Sequence, residues 1–166
     1  MIHNTHMSQY IPPTLWHFVT GTFTQVAGTV SGTIAINRAN ANETSVITIP
    51  IMVPSNSVAL QGAKLVSIEV DYVVKTGEPT SLTWTLNKVT RGVEGSVASV
   101  DAITKTDTIA AADSHAVDEH KQVITITTPE WVDNDVYYLL EISLIAGAAN
   151  NTEHFLGAVA NFTLRV

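Results

Sequence analysis

The alternation of side chains in residues 65–75 constrains the fold of this chain more than any other feature. Apolar and polar residues take turns along this stretch, so that the apolar ones fall on one face. The residues on that face are Val66, Ile68, Val70, Tyr72 and Val74. A repeat of two residues is the spacing of a β-strand with one buried face. The pattern therefore predicts a half-buried strand of an antiparallel sheet.

Seven further segments have strand-like patterns and are separated by turns rich in Gly, Pro and Asn. They are 15–24, 26–37, 44–53, 80–90, 121–128, 135–146 and 154–166. The last of them places on one face Leu156, Ala158, Ala160, Phe162, Leu164 and Val166. No segment has the pattern of an amphipathic helix. About eight antiparallel strands in one chain predict an all-β fold, a two-sheet β-sandwich of jelly-roll type.

The chain divides into an N-terminal arm and one domain. Residues 1–14 are polar and end in Ile11-Pro12-Pro13, a sequence that favours an extended conformation outside a sheet. We therefore predict an extended arm over 1–18 and a single sandwich domain over 19–166. With 166 residues in total, the chain is long enough for one well-buried core and short for two.

Composition excludes several classes of partner and chemistry. The net charge is −7 and the eight Lys and Arg residues are scattered, which argues against nucleic acid. Cysteine is absent, so disulfides, thiol catalysis and cysteine zinc sites are excluded. The first residues lack the pattern of a signal peptide, and no stretch approaches the ~20 apolar residues of a membrane span. We expect neither nucleic acid nor a membrane as a partner.

One segment, 113–120, concentrates side chains that bind metals. Its weak candidate ligands are Asp113, His115, Asp118 and His120. Imidazoles suit zinc and carboxylates suit calcium. If the segment binds a metal at all, we expect that metal to be calcium. A solvated polar loop between two strands explains the same residues, and we expect no metal and no cofactor.

No motif of a catalytic site is present. Asp133 and Asp135 are a pair of carboxylates, but their neighbour Asn134 favours a turn in which such side chains bind local backbone groups. The chain has neither a Gly-x-Ser-x-Gly elbow nor a glycine-rich phosphate loop. We therefore predict that the protein is not an enzyme.

The three tryptophans receive different interpretations. Trp84 is in phase with Leu82 and Leu86, which predicts a core position. Trp16 and Phe18 lie where the arm meets the domain, and we predict that they contact another subunit. Trp131 precedes a turn, where an exposed ring could stack on a sugar.

Four blocks of sequence resemble a known family. They are Gly62-Ala63-Lys64-Leu65 through Tyr72, Leu82-Thr83-Trp84-Thr85-Leu86, Asp133-Asn134-Asp135-Val136-Tyr137-Tyr138-Leu139 and Phe155-Leu156-Gly157-Ala158-Val159. The stretch from about 57 to 166 resembles the small jelly-roll domains of phage structural proteins and some bacterial surface proteins. Phe155 stands where that family has a Tyr.

The resemblance implies a structural protein of a phage-like virion, located in the virion and without an active site. It implies a homotrimer, used as a capsid decoration or fibre-associated protein, with the major capsid protein as a partner. Residues 1–18 would then reach a neighbouring subunit or the shell. The alternative is a carbohydrate-binding module on a tail or cell surface, with Trp131 and the loop 113–120 at its site. A shell-forming protein is disfavoured by the small size of the chain.

Overall fold

Two antiparallel sheets packed face to face make up the fold in the computed structural model. The structure describes residues 4–28, 33–38, 42–54, 62–92, 94, 96–111, 113–133, 135–145 and 152–165. Twelve strands and one short 3-10 turn, Pro13–Leu15, lie within these ranges. The prediction of an all-β, antiparallel two-sheet sandwich is confirmed.

The larger sheet has seven strands. They are β1 (Asn4–Ile11), β3 (Phe23–Ala27), β4 (Ile34–Arg38), β6 (Ala63–Thr76), β9 (Lys105–Asp107), β10 (Glu119–Ile126) and β12 (Thr152–Arg165). Their order is β3-β4-β12-β6-β10-β9, and β1 pairs with the C-terminal part of β12. This places the two longest strands, β6 and β12, side by side at the centre.

The smaller sheet has five strands. They are β2 (His17–Thr20), β5 (Thr44–Met52), β7 (Ser81–Thr90), β8 (Ser99–Ala102) and β11 (Val136–Ile145). Their order is β2-β5-β11-β7-β8. The predicted strands 15–24 and 26–37 are divided among β2, β3 and β4, which accounts for part of the difference between eight predicted strands and twelve observed ones.

Apolar side chains from both sheets meet between them and exclude water, which is the main favourable term in folding. Leu82, Trp84 and Leu86 are buried, as their phase predicts. The facing strands contribute residues such as Ile49, Ile51, Ile68, Val70, Leu140, Ile142, Phe155 and Phe162, each at most 1% exposed. The core therefore follows the period-two pattern of the sequence.

Register shifts change which residues point inward on β6 and β12. The pairing slips between Phe155 and Gly157 and again between Asn161 and Phe162. Phe155 is fully buried and Leu156 is half-buried, whereas the alternation alone predicts Leu156 inside. Likewise Leu65 is buried and Val66 is not. A shift of one residue exchanges the two faces of a strand, which is the physical reason for both corrections.

The predicted arm is largely a strand. Residues 4–11 are extended, as expected, but they pair with β12 along their whole length, from Asn4 opposite Arg165 to Ile11 opposite Ala158. Ile11 is 4% exposed and belongs to the core. Pro12 and Pro13 follow the strand and open the 3-10 turn, so proline ends the pairing instead of preventing it.

A buried ion pair joins two neighbouring strands of the larger sheet, and a hydrogen bond from its arginine reaches the smaller sheet. Arg38 on β4 and Glu153 on β12 are both fully buried, and Arg38 Nη1 lies 3.1 Å from Glu153 Oε2. Arg38 also donates from Nε to Ser45 Oγ on β5, at 2.9 Å. Burial raises the pKa of Glu153, and the neighbouring guanidinium opposes that shift.

Some predicted features lie outside the described residues. These are most of the loop 54–63, the middle of the turn 37–42, Asn134 of the resemblance and Val166 of the last strand. Within the part of the chain that is described, no helix is long and apolar enough to cross a membrane.

Candidate functional site

The outer face of the larger sheet carries a network of polar side chains across four neighbouring strands. Ser8 Oγ on β1 donates to Asn161 Oδ1 on β12 at 2.7 Å. Asn161 Nδ2 donates to Ser67 Oγ at 3.2 Å and to Glu69 Oε1 at 3.0 Å, both on β6. Glu69 Oε2 pairs with Lys121 Nζ on β10 at 2.8 Å. Asn161 is therefore held in one orientation by partners on both sides.

An exposed aromatic ring borders this network. Tyr10 lies two residues after Ser8 on the same face of β1, and it is 61% exposed. Its ring lies against Gly157, and its hydroxyl donates to the carbonyl oxygen of Leu156 at 3.2 Å. A residue larger than glycine at 157 would meet the ring, so the glycine is what lets Tyr10 lie on the sheet.

A shallow depression begins beside the Tyr10 hydroxyl, at Leu156. Its volume is about 340 Å³, and it is open to solvent. The lining residues are Asp71, Tyr72, Glu119, His120, Lys121 and Leu156. The Tyr72 hydroxyl is directed away, to the carbonyl oxygen of Ser114, and burial raises its pKa. The groups that the depression offers to a ligand are thus mainly carboxylates, an ammonium and an imidazole.

The charged groups of the network keep their charges near neutral pH. The hydrogen bond from Lys121 holds the pKa of Glu69 below its usual value, against a smaller opposing effect of burial. The same bond raises the pKa of Lys121, whose side chain is exposed to solvent. We call the surface made by Ser8, Tyr10, Ser67, Glu69, Asp71, Lys121 and Asn161 the Tyr10 face.

At the other end of the larger sheet, two cations lie against the ring of Trp131. Arg165 Cζ is 4.3 Å and Lys64 Nζ is 5.1 Å from the ring centroid. These are cation–π distances, and the contacts fix the half-buried indole over the ends of β6 and β12. We call Lys64, Trp131 and Arg165 the Trp131 cluster.

The structure does not bring together the two parts of the predicted sugar site. Trp131 is next to Val132, which pairs with Ala63 at the start of β6. The loop 113–120 is at the other end of that strand, where the carbonyl oxygen of Asp118 accepts from the amide of Val74. Eleven residue steps along β6 separate the two, more than about 30 Å at the usual rise of a strand.

The predicted metal ligands have different surroundings. Asp113 and Asp118 are exposed, and His120 Nε2 lies 2.8 Å from the carbonyl oxygen of Ala116. The His120 ring also stacks on Tyr72. Among the described residues, no three side chains of His, Asp or Glu converge as metal ligands do. His115 is therefore not part of such a group of three, although its Nδ1 atom is buried without a hydrogen-bond partner.

The two residues predicted at a subunit interface have different surroundings. Trp16 is 4% exposed, donates from Nε1 to the carbonyl oxygen of Ile11, and meets Phe155 edge to face. It is a core residue of its own chain, and its contact with another subunit stays a prediction. Phe18 is 37% exposed on the edge strand β2 and packs on Phe23. Phe18 therefore remains accessible to a partner.

Neither Tyr10 nor the network around Asn161 is predicted from the sequence. The available signal is the alternation within 4–11, which places Ser8 and Tyr10 on one face and Gln9 and Ile11 on the other. That signal is weak because most of the segment is polar. The partner residues on β12 are about as far away as this chain allows, with 153 positions between Ser8 and Asn161.

Comparison with known proteins gives little further information. No protein-family model matches this chain, and no curated protein matches it significantly. Partial similarity exists to carbohydrate-binding modules of the beta-sandwich super family, with a TM-score of 0.48 and 11% identity over 92% of this chain and 54% of that one. A structure of a Clostridium thermocellum xylanase complexed with xylohexaose gives a TM-score of 0.42 and 11% identity, over 93% of this chain and 27% of that one.

The structure of TmCBM61 with beta-1,4-galactotriose gives a TM-score of 0.39 and 9% identity, over 97% of this chain and 88% of that one. This chain spans about half of the first neighbour and about a quarter of the second. At TM-scores below 0.5 these similarities decide nothing about function.

Proposed function

We propose that this protein binds a carbohydrate on the Tyr10 face and catalyses no reaction. The observation that carries the proposal is the exposed ring of Tyr10 on the same face of the sheet as the oriented side chain of Asn161, two positions along β12 from the residue opposite Tyr10. Of the two functions that the sequence suggests, the carbohydrate-binding module is thus favoured over the virion structural protein, and its site moves from Trp131 and the loop 113–120 to the Tyr10 face.

The chemistry of sugars explains why such a surface suits them. A sugar ring has apolar C–H faces, which pack on aromatic rings, and hydroxyl groups at its edge, which need donors and acceptors. Tyr10 offers the ring, while Ser67, Glu69 and Asn161 offer polar atoms that neighbouring strands already hold in place. Side chains that are ordered before binding lose little entropy when the ligand arrives.

The test is binding to a glycan array, followed by calorimetric titration of the best ligand. Tyr10→Ala removes the ring from a site where it is 61% exposed, so the fold should survive. We expect Tyr10→Ala to weaken binding by about fivefold or more, since one aromatic contact contributes about 1 kcal/mol or more when it is desolvated. Asn161→Ala should weaken binding by a similar factor.

The matched control is Tyr137→Ala. Tyr137 is a half-buried tyrosine on β11, on the outer face of the smaller sheet. Its loss should leave sugar binding unchanged. Equal losses for Tyr10→Ala and Tyr137→Ala, or no glycan bound by the folded wild type, would show that the proposal is wrong.

The second candidate function is assembly into an oligomer, as expected for a structural protein of a virion. A specific observation favours it: an apolar row crosses the smaller sheet in the order Val100, Val89, Tyr137 and Met52. Val100 and Met52 are each about 60% exposed at the two ends of this row, whereas Tyr137 is half-buried and Val89 is buried. Exposed apolar surface of this kind is frequent where subunits meet.

Sedimentation of the purified protein tests assembly. A homotrimer that Met52→Lys converts to a monomer would support it, because a buried ammonium without a partner destabilises an interface. A monomeric wild type at micromolar concentration would remove this candidate. The major capsid protein as a partner and the location in a virion stay predictions from the resemblance.

A further inference from the structure

We infer that the carbohydrate bound on the Tyr10 face carries an anionic group, a uronate carboxylate or a sulfate, and that Lys64 and Arg165 of the Trp131 cluster bind it. The inference rests on the proposed function, because it concerns the same face and the same ligand. Four observations support it: the pairing of the cations, their position, their remaining donors and the distribution of charge along the face.

Lys64 and Arg165 form no ion pair with any Asp or Glu side chain of the described residues. The described residues include all fifteen Asp and Glu side chains. Four other cations of the chain are paired, namely Arg38, Lys88, Lys105 and Lys121, whereas Lys75 forms no ion pair with a described side chain. In a protein with a net charge of −7, two such cations over one ring form a local concentration of positive charge.

The Trp131 cluster continues the Tyr10 face along the same strands. Asn161 and Arg165 are four residues apart on β12 and share a face, because the side-chain period is two. Lys64 is opposite Thr163, which lies between them on that face. From Val159, which is opposite Tyr10, to Arg165 is about 20 Å along the strand, so a ligand of several sugar units spans both.

Contact with Trp131 leaves the cations able to bind an anion. A cation–π contact uses the face of the guanidinium or the side of the ammonium, and the N–H groups at the edge stay available. The indole also limits the movement of both long side chains, so they lose less entropy when an anion binds. A carboxylate or a sulfate offers the oxygens that a guanidinium binds with two parallel hydrogen bonds.

Charge is distributed unevenly along the face, which gives the ligand a direction. Asp71 and Glu119 line the depression at one end, where the charge of Lys121 is paired with Glu69, and Lys64 and Arg165 are at the other end. An anionic sugar is repelled at the first end and attracted at the second. The anionic unit is therefore expected at the Trp131 cluster, with uncharged units over Tyr10.

The experiment begins with an array that contains neutral, uronate-containing and sulfated glycans. We expect the wild type to bind the anionic glycans only, and the two anionic sets identify the group. The best ligand is then titrated against Lys64→Gln/Arg165→Gln, with an expected loss of about tenfold to a hundredfold from two charge-assisted contacts. Raising the salt concentration from 0.05 M to 0.5 M should weaken wild-type binding and affect the double variant much less.

Two controls separate this inference from trivial explanations. Lys88→Gln/Lys105→Gln removes the same charge from cations that are already paired, and it should bind like the wild type. Lys64→Arg/Arg165→Lys exchanges the cations and should retain most of the affinity. If the exchanged variant bound as poorly as the double Gln variant, the two residues would have a role in packing only, and the inference would be overturned.

The failure of the inference differs from the failure of the proposed function. Binding of neutral glycans with equal or higher affinity, still lost in Tyr10→Ala, overturns the anionic ligand and leaves carbohydrate binding in place. Unchanged affinity in Lys64→Gln/Arg165→Gln has the same meaning. The absence of any bound glycan on the array overturns both.

Discussion

The contact between Tyr10 and Gly157 makes a quantitative prediction about the substitution Gly157→Ala. A Cβ atom at 157 would lie 2.7 Å from Cε2 and 2.7 Å from Oη of Tyr10, closer than carbon and oxygen atoms approach without repulsion. The ring must therefore move away, and its hydrogen bond to the carbonyl oxygen of Leu156 is lost. The backbone angle φ of Gly157, +155°, adds strain for any other residue.

These effects can be separated with a second substitution. The backbone strain costs about 1–3 kcal/mol and the lost hydrogen bond about 1 kcal/mol, so Gly157→Ala should destabilise the fold by about 2–4 kcal/mol. In a Tyr10→Ala background the ring is absent, and only the backbone strain remains. Gly157→Ala should then cost about 1 kcal/mol less than in the wild type, the size of coupling usual for residues in contact.

The assay is urea unfolding of the four proteins of this cycle, followed by tryptophan fluorescence. Binding of the array-selected glycan is measured on the same samples, and Gly157→Ala should weaken it as much as Tyr10→Ala does. Additive free energies, within about 0.5 kcal/mol, would refute the contact. So would a Gly157→Ala protein that binds the glycan as tightly as the wild type.

Three further predictions concern stability. Glu153→Leu should destabilise the fold by about 3–5 kcal/mol in urea, because it leaves the guanidinium of Arg38 buried without its carboxylate, and Arg38→Met/Glu153→Leu should recover much of the loss. Burial, with a smaller contribution from Lys75, lowers the pKa of His154 below 6.5, so the unfolded chain binds that proton more readily. The melting temperature of the wild type should therefore decrease as the pH falls below 6.5, and that of His154→Gln should decrease less, in melting scans from pH 7.5 to 5. An equal decrease in the two proteins would show that His154 is not the cause. Phe155→Ala empties a fully buried site and should lower the free energy of unfolding by about 3–5 kcal/mol. A decrease below about 1 kcal/mol would contradict this prediction.

Strands with strong local alternation could be predicted from the sequence. The predicted segments 80–90 and 135–146 correspond to Ser81–Thr90 and Val136–Ile145. Their apolar inward residues repeat without interruption over Val136–Ile145 and from Leu82 to Leu86, so the pattern alone determines the buried face there. On β6 and β12 the same reasoning places Val66 and Leu156 inward and is wrong, because the register shifts depend on the partner strand.

The candidate site could be predicted only in part. The sequence shows that Trp131 and the loop 113–120 have suitable side chains, but it does not show that they lie at opposite ends of β6. Tyr10 becomes part of a surface only when β12 pairs with β1, and no local pattern encodes a contact across 146 positions. Side-chain chemistry is local in the sequence, whereas the arrangement of a site is a property of the sheet.

The pairing of β1 with β12 also has a consequence during synthesis of the protein. Ser8 and Asn161 are 153 positions apart, so β1 waits roughly 8–30 s for its partner at the usual rate of translation. Throughout that time it is an unpaired strand, which is a hazard for aggregation if it is apolar. Most of Asn4–Ile11 is polar instead, with Asn4, Thr5, His6, Ser8 and Gln9. The polar composition that predicts an extended arm from the sequence thus also lowers the aggregation hazard of β1 until β12 is synthesised.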